Sequence, residues 1–484
     1  MNIKGVFKIL GFVIRLMGIV FFLPALVGLI YKEYLCTIAY ACLGFFCILI
    51  SLTAAHFRIP KKINTKSFYG KEAFVTVALA WILISLIGAV PFVVTQDIPN
   101  YLDALFESAS GFTTTGASVV SDTEGMFHAN IFFRSLSQWI GGMGVLVFIL
   151  AVLPMAGGSP LSLMKAESPG PTVSKLVPKA QNTAIILYGI YLGLTVIEFV
   201  LLLFDPHINV FENICHTFAT AGTGGFSAIS SSCTGFCTYG KTVTTVFMLL
   251  FGTNFSFLYL LILKKFKEAF KLEEVKWYFI IYLIGSVLIF ISMNFDASVK
   301  SLSVTDTLFT CASLMTSTGF TVTNTNFSNG FTEITLLVLM FIGACQGSTG
   351  GGFKVSRFML LIKQIPKDIH TDLHPNRVSV IKVDKKAVSD EVIESTNRFF
   401  ITYVVVFIIS SVIISIDAGS AHTAAVSALS ALNNTGIDLS FFSCAKTYAD
   451  FSVLSKIVMI FDMLLGRLEL IPMILLFCPA TWKK

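Results

Sequence analysis

Four short segments of the chain share a Thr-Gly pair inside a run of small, uncharged residues. They are TTTGA (113–117), AGTGG (221–225), TSTGF (316–320) and NNTGI (433–437). Glycine reaches backbone dihedral angles that are closed to residues with a Cβ, so the carbonyl oxygens of such a loop can turn inwards and replace the water around an ion. None of the segments carries a carboxylate, which a divalent ion would favour, so their oxygens suit a weakly hydrated monovalent cation.

We therefore predict that the four segments form one filter, with K⁺ as the transported ion. Gly116, Gly224, Gly319 and Gly436 are predicted to take equivalent places in it. The residues predicted to contact K⁺ are Thr114, Thr115, Gly116, Gly222, Thr223, Gly224, Ser317, Thr318, Gly319, Asn434, Thr435 and Gly436.

Each segment follows a half-polar stretch of helical character that is too short to cross a bilayer. These stretches are residues 102–111, 210–221, 305–316 and 421–433, with helix start signals at Asn100 or Asp103, Asn209, Thr305 or Asp306, and Ser420. The partly negative C-terminal end of each short helix would favour a cation in the cavity. Two further Thr-Gly pairs, at 234–235 and 349–350, follow no such stretch and are not assigned to the filter.

The elements that must hold these loops are membrane spans. Of 484 residues, 55% are hydrophobic and 13% charged, with a mean hydropathy of +0.80, whereas soluble proteins carry about 25% charged residues. The predicted fold is an all-α polytopic membrane protein with two N-terminal spans and four helix–pore-loop–helix repeats around a central pore. The predicted boundaries are 1–70 for the two-span segment and 71–160, 161–270, 271–370 and 371–484 for the repeats. Apolar runs predict ten crossings, at 6–30, 35–57, 72–96, 127–153, 183–204, 241–263, 276–294, 330–362, 395–416 and 452–478.

Charge divides the loops into two sets. Lysine and arginine cluster at 58–71, 264–276 and 363–386 and at the C-terminus, whereas Asp and Glu dominate the loops around 97–124, 205–212, 296–333 and 417–450. By the positive-inside rule the basic loops and both termini are cytoplasmic. We interpret the outer acidic charge as a means to concentrate cations. The alternative is that the difference in charge between the two sides serves only to orient the chain in the membrane.

Cys233 and Cys237 fall in an outer loop, and whether they form a disulfide is left open.

One predicted span, residues 331–362, is longer than the ~20 residues that cross a bilayer. Its middle, 343–352, holds five glycines, each of which costs a helix roughly 1 kcal/mol relative to alanine. We expect the helix to break there and the freed backbone to border the aqueous cavity. A charged residue in the last span is expected to reach the same level and to face the pore or a partner. The residues predicted to form this intramembrane gate are Gly347, Ser348, Thr349, Gly350, Gly351 and Arg467.

Several segments resemble the Trk/Ktr/HKT superfamily of potassium transporters, and within it the TrkH family. They are SQWIGGMG (137–144), AESPGP (166–171), GACQGSTGGGFK (343–354), HPNRV (374–378) and GRLE (466–469). The resemblance covers nearly the whole chain and implies a potassium-selective uptake subunit that forms a homodimer in the bacterial inner membrane. It also implies gating by a cytosolic, nucleotide-binding subunit of the TrkA type, with no organic cofactor and no nucleic-acid partner for this chain. The pairs Ala221-Gly222 and Cys345-Gln346 depart from the family pattern.

Two other functions are kept as alternatives. A sodium- or proton-coupled potassium symporter on the same fold would leave no trace in the sequence, although Gly116 argues against a sodium-permeable filter. A polytopic membrane enzyme would need clustered His or carboxylate residues within its spans, and the spans hold almost none, so no enzymatic activity is predicted. His370 and His374 have a spacing that allows metal binding on a helix, but we expect them in a solvated polar loop.

Overall fold

The structure, a computed structural model, describes residues 3–56, 70–144, 180–295, 303–322, 329–374, 379–437, 439–442, 444 and 447–482. Within these residues a two-stranded antiparallel sheet joins β1 (Lys382–Val383) to β2 (Lys386–Ala387), and short 3-10 turns span Leu439–Phe442 and Tyr448–Asp450. The helices are α1 (Ile3–Val20), α2 (Phe22–Ile30), α3 (Tyr34–His56), α4 (Gly70–Val94), α5 (Tyr101–Phe112), α6 (His128–Met143), α7 (Ala180–Leu202), α8 (Val210–Gly222), α9 (Thr238–Gly252), α10 (Phe255–Ile262), α11 (Phe266–Ala269), α12 (Glu273–Phe295), α13 (Val304–Met315), α14 (Gly330–Ile342), α15 (Val355–Leu373), α16 (Asp390–Ile414), α17 (Ala421–Leu432), α18 (Val453–Arg467), α19 (Ile471–Phe477) and α20 (Pro479–Trp482).

Long apolar helices make this chain a multi-pass membrane protein, which confirms the predicted all-α membrane fold. In the described part of the chain, α9 and α10 together form a further candidate span that is bent by 104°. The motif at 166–171 and the end of the span predicted at 127–153 lie outside the described residues. The six helical stretches that are long and apolar enough to cross a bilayer are Gly5–Ile30, Tyr34–Leu52, Lys71–Val94, Ala184–Leu202, Glu273–Asn294 and Asp390–Ile414.

The span predicted at 330–362 breaks between α14 and α15, as expected, but the one predicted at 241–263 also breaks, which we did not predict. α9 gives way to α10 across Thr253 and Asn254, and the Asn254 side chain caps α10 by accepting from the backbone N–H of Ser256. Asparagine is a strong N-cap residue because its side-chain oxygen satisfies a free N–H of the first turn.

The span predicted at 452–478 is also broken. α18 ends at Arg467, Glu469 and Leu470 follow with φ of +53° and +67°, and Pro472 stands in the first turn of α19. Proline fits the first turn of a helix but removes a donor from its interior. The sequence therefore favours a new helix after the break.

Four short helices, α5, α8, α13 and α17, hold the loops that we predict to form the filter. Each begins at a residue whose side-chain oxygen accepts from a first-turn N–H; these N-caps are Asn100, Asn209, Ser303 and Ser420. The third helix starts at Ser303 and not, as predicted, at Thr305 or Asp306. Ser303 is the cap because its hydroxyl oxygen accepts a hydrogen bond from the backbone N–H of Asp306, which lies in the first turn of the helix.

The short helices connect four similar units into a ring. Each unit is a long helix, a short helix, a loop and a second helix: α4–α5–α6, α7–α8–α9, α12–α13–α14 and α16–α17–α18. Every short helix packs against both other helices of its unit and against the last helix of the preceding unit. Because α5 packs against α18, the fourth unit also contacts the first and the ring closes.

The segment with His370 is helical, so the predicted solvated loop is wrong there. α15 continues to Leu373, and His374, the residue before Pro375, is its C-cap. The missed signal is an apolar residue at every fourth position, Ile365, Ile369 and Leu373, which is a helical period.

Candidate functional site

The four predicted filter loops have the same backbone conformation. In each loop a residue in the left-handed region follows the short helix and a left-handed glycine comes two residues later. The first positions are Thr114 (φ +56°), Thr223 (+52°), Ser317 (+58°) and Asn434 (+52°). The glycines are Gly116 (φ +84°), Gly225 (+76°), Gly319 (+81°) and Gly436 (+55°).

This backbone pattern corrects the predicted alignment of the second loop by one residue. Gly225 takes the place of the other three glycines, while Gly224 takes the place of a threonine. The residue between the two left-handed positions donates its N–H back to the short helix in all four loops: Thr115 to Ser110 (2.8 Å), Gly224 to Ala219 (2.8 Å), Thr318 to Ser313 (2.8 Å) and Thr435 to Ser430 (3.0 Å). The Thr-Gly pair misled the prediction because two glycines adjoin here and the left-handed one is the second.

The loops touch one another in a closed cycle through these glycines. A methyl group built on Gly116 would lie 1.9 Å from the carbonyl oxygen of Gly224, and one on Gly225 would lie 1.9 Å from that of Thr318. The cycle continues from Gly319 to the carbonyl of Thr435 (2.2 Å) and from Gly436 to that of Thr115 (2.1 Å). Each glycine is therefore required by its positive φ and by the approach of a neighbouring carbonyl group.

Hydrogen bonds between hydroxyl and amide side chains stabilise the loops. The Oγ1 atoms of Thr113 and Thr115 lie 2.7 Å apart, as do those of Thr316 and Thr318. Asn434 of the fourth loop donates to Thr115 of the first, at 2.9 Å. The first two bonds restrain the first and third loops internally, and the third joins the fourth loop to the first.

Gln138 is a residue of the site that the sequence did not single out, although it lies within the quoted SQWIGGMG motif. It projects from α6 towards the second loop, where its Nε2 donates to the Gly224 carbonyl (2.7 Å) and its Oε1 accepts from Phe226 N–H (3.1 Å). A methyl group on Gly224 would lie 2.4 Å from its Cδ. Gln138 thus fills the space beside a loop that lacks the threonine of the other three.

The broken segment between α14 and α15 lies against the helix ends that lead into the third and fourth loops. Gly351 N–H donates to Ser317 Oγ (2.5 Å), and Gly352 N–H donates to the carbonyl of Asn433 (3.1 Å). The break after α9 meets the same segment, because Phe255 N–H donates to the Gly347 carbonyl (3.0 Å). The freed backbone groups of both breaks therefore satisfy each other.

Arg467 reaches this segment, so the structure brings together the residues predicted to form a gate. Its guanidinium donates to the carbonyls of Thr349 (3.0 Å), Gly142 (2.7 Å) and Gly141, and to Thr114 Oγ1 (3.3 Å). A cavity of about 120 Å³ lies between the segment and Arg467, and Trp81, Lys354, Asn434 and Glu469 also line it.

Most acidic residues of the loops predicted to face outwards are held by protein groups. The buried Glu107 carboxylate pairs with Arg134 (2.7 Å) and accepts from Ser118 and Val119; others pair with lysine or histidine or cap helices. Burial raises the pKa of Asp97, although hydrogen bonds from Asn130 and Phe127 lower it in part. Three of these carboxylates, those of Asp103, Glu107 and Asp306, are paired with lysine or arginine, and the interpretation that the outer acidic charge concentrates cations stays a prediction.

Cys233 and Cys237 are both free. Cys233 is buried and its Sγ lies 3.8 Å from His216 Nδ1, whereas Cys237 is the N-cap of α9. The two thiols have separate partners, so the structure contains no disulfide between them.

Comparisons with known proteins identify the family of this chain. The TrkH family model, described as a cation transport protein, matches residues 40–484. The Trk system potassium uptake proteins TrkH of Salmonella typhimurium and Vibrio parahaemolyticus are 32% and 33% identical over 100% of both chains, and TrkG of Escherichia coli is 30% identical over 100% of this chain and 99% of its own. The crystal structure of the potassium transporter TrkH from Vibrio parahaemolyticus matches all of this chain and of its own with a TM-score of 0.86 and 28% identity. This chain therefore belongs to the TrkH family of cation transport proteins and not to a family of enzymes.

Proposed function

We propose that this chain is a potassium-selective uptake subunit in which K⁺ passes the carbonyl oxygens of four loops. The observation that carries the proposal is the closed cycle of glycine-to-carbonyl contacts among the loops. Rings of uncharged carbonyl oxygens replace the hydration shell of K⁺ in potassium filters, and the relatives are named potassium uptake proteins.

The segment from Gly347 to Gly351 and Arg467 form the gate of this pathway. The segment lies directly behind the third and fourth loops, and the positive charge of Arg467 lies against the first. A guanidinium at that level repels a cation that has passed the filter and, through its bonds to three carbonyls, holds the segment in place.

The subunit works as a homodimer in the inner membrane of a bacterium, with both termini in the cytoplasm. A cytosolic nucleotide-binding subunit of the TrkA type moves the gate. The support for these proposals is membership of the TrkH family and the basic charge of the loops at 264–276 and 363–386. Co-purification of a nucleotide-binding protein with the chain from native membranes tests the partner.

A proton-coupled symporter remains the second candidate, because two buried carboxyl groups lie in helices of the second and fourth units. Glu198 in α7 and Asp462 in α18 have 0% and 1% of their surface exposed, and Asp462 accepts from Ser410 Oγ at 2.8 Å. Protonation is one way in which a buried carboxyl group avoids the cost of a buried charge. Uptake into liposomes that depends on an imposed pH gradient, at zero membrane potential, would favour this candidate.

Flux of K⁺ and Na⁺ through the purified protein in liposomes tests the filter. We expect G116S, G225S, G319S and G436S each to lower the K⁺-over-Na⁺ ratio, because each added side chain strikes a neighbouring carbonyl group. G235S is the control: Gly235 lies in a Thr-Gly pair outside the loops, and a methyl group there meets nothing within 4 Å. A ratio equal to that of the parent in all four variants would overturn the filter.

A further inference from the structure

Three residues with metal-binding side chains converge next to the second unit, away from the filter and the gate. Asp205 and His207 lie between α7 and α8, and Cys237 is the N-cap of α9. One ligand atom from each lies within 4.8 Å of the others. The Asp205 Oδ1 and His207 Nδ1 atoms are 3.4 Å apart.

The protein backbone already holds the carboxylate in place. The Asp205 side chain is fully buried, and its two oxygens accept from the N–H groups of His207 (3.0 Å) and Cys237 (3.2 Å). Each oxygen keeps a lone pair for a metal ion. Carboxylates fixed in this way lose little freedom when they coordinate.

The thiol of Cys237 and the imidazole of His207 would supply the other two protein ligands. Cys237 Sγ accepts from Gly240 N–H (3.4 Å) at the start of a 15-residue helix, and a cysteine sulfur is one of the ligands that zinc binds in proteins. His207 has 61% of its side chain exposed, which gives an ion access from solvent.

We propose that Asp205, His207 and Cys237 bind a zinc ion, with water as the fourth ligand. A thiolate, an imidazole and one carboxylate suit Zn²⁺, whereas Ca²⁺ and Mg²⁺ favour sites made of oxygen ligands. Around a tetrahedral zinc ion the ligand atoms are about 3.3–3.8 Å apart, given bonds of about 2.0–2.3 Å. Asp205 Oδ1 and His207 Nδ1 already have this spacing, and the Cys237 side chain would have to rotate to bring its Sγ from within 4.8 Å to the same range of both atoms.

Bound zinc would join the end of α7 to the start of α9, the two helices on either side of α8. Since α8 leads into the second loop, the metal would stabilise that unit from its edge. Without the metal, Asp205 still organises the turn through its two backbone hydrogen bonds. Zinc binding is therefore separable from folding and from passage of K⁺.

Equilibrium dialysis of the purified full chain against zinc chloride, under reducing conditions, tests the site. We expect one zinc ion per chain in the parent. Loss of a residue that only hydrogen-bonds to a metal ligand weakens metal binding roughly 10- to 100-fold. H207A and C237S each remove a ligand itself, so each should weaken zinc binding by more than that. Serine keeps the helix cap at position 237, so C237S should fold. H128A, which removes another partly exposed histidine, should bind like the parent.

Cobalt substitution identifies the ligands directly. We expect Co²⁺ in the parent to show the absorption of a tetrahedral site with a thiolate ligand, and C237S to lose the thiolate-to-cobalt band. Absence of stoichiometric zinc in the parent, or parent-like binding in both H207A and C237S, would overturn the proposal.

Discussion

At the scale of single residues, the second loop differs chemically from the other three but keeps their backbone. Gly222 and Gly224 stand where the first and third loops have two threonines with bonded hydroxyl groups, and the threonine that the fourth loop keeps at the second of these positions is also missing. Gln138 from α6 supplies the missing contacts. A methyl group on Gly222 would also lie 2.3 Å from the Gln138 carbonyl oxygen, which accounts for the departure at Ala221-Gly222 from the family pattern.

This compensation predicts the behaviour of a pair of variants. We expect Q138A to lower the K⁺-over-Na⁺ flux ratio severalfold, because the Gly224 carbonyl and the Phe226 N–H both lose their hydrogen-bond partner. Each unpaired buried group costs about 1–3 kcal/mol. G224T should also lower it, because its Cβ cannot fit beside Gln138. The double variant Q138A/G224T should recover part of the selectivity, since threonine then has room.

Liposome flux measures all three variants, with M248A as the control. Met248 takes the position in α9 that corresponds to Gln138 in α6, and it is buried. Its loss should lower stability while selectivity persists. A double variant that is less selective than either single variant would show that the two residues do not compensate.

The sequence identified most site residues by type but could not place them against each other. Arg467 was found because a charge at membrane depth is costly and needs partners. Gly225 was missed because the choice between two adjacent glycines depends on φ, which residue type does not fix. Gln138 was missed because its role depends on a contact between units.

At the scale of elements, charged groups join the last helix of one unit to the short helix of the next. Lys456 of α18 pairs with Asp103 of α5 (2.6 Å), and Lys241 of α9 pairs with Asp306 of α13 (2.8 Å). A third pair, Glu333 of α14 with His422 of α17, has the same arrangement with the charges exchanged. At the remaining contact, between α6 and α8, aromatic rings replace the ion pair: Tyr31 stacks on His128, which meets Phe211 edge-on.

These pairs should stabilise the ring of units. We expect D306N and K241M each to destabilise the protein by about 1–3 kcal/mol, because each leaves a largely buried charge without its partner. The double variant K241M/D306N should be no less stable than either single variant, since no unpaired charge remains. The midpoint of thermal unfolding in detergent is the measurement, and strictly additive losses would contradict a coupled pair.

The elements were predictable where the signal is local. Helix caps and short amphipathic stretches revealed α5, α8, α13 and α17 to within a few residues. The breaks after α9 and α18 have local signals, the cap residue Asn254 and Pro472, that did not enter the prediction, and tertiary partners also stabilise both breaks. Phe255 N–H finds its acceptor in the Gly347 carbonyl, and Glu469 pairs with Arg357 of α15.

At the scale of the whole molecule, the proposed gate departs from the fourfold arrangement of the loops that we propose as the filter. The segment from Gly347 to Gly351 belongs to the third unit and Arg467 to the fourth, while the arginine's other acceptors, Gly141, Gly142 and Thr114, belong to the first. One side chain thus links three of the four units directly behind the filter. A movement of α15 or α18 would pull on these bonds.

This arrangement predicts that resting flux and selectivity respond to different variants. We expect R467A to raise resting K⁺ flux into liposomes roughly tenfold, the change that a loss of 1.4 kcal/mol from the closed state produces, since several charge-assisted hydrogen bonds disappear. Deletion of Gly347–Gly351 should act in the same direction. The K⁺-over-Na⁺ ratio should stay at the parent value in R467A, because Arg467 bonds the first loop only at the Thr114 hydroxyl and no loop carbonyl loses a partner. The deletion also removes the hydrogen bond from Gly351 to Ser317, so selectivity is compared in R467A alone. R398A is the control, as Arg398 is 69% exposed and pairs only loosely, at 3.9 Å, with Glu394; it should leave flux unchanged. If R467A and the deletion both fold and conduct no faster than the parent, the segment and the arginine do not obstruct the pathway, and the proposed gate is wrong even though the filter stands.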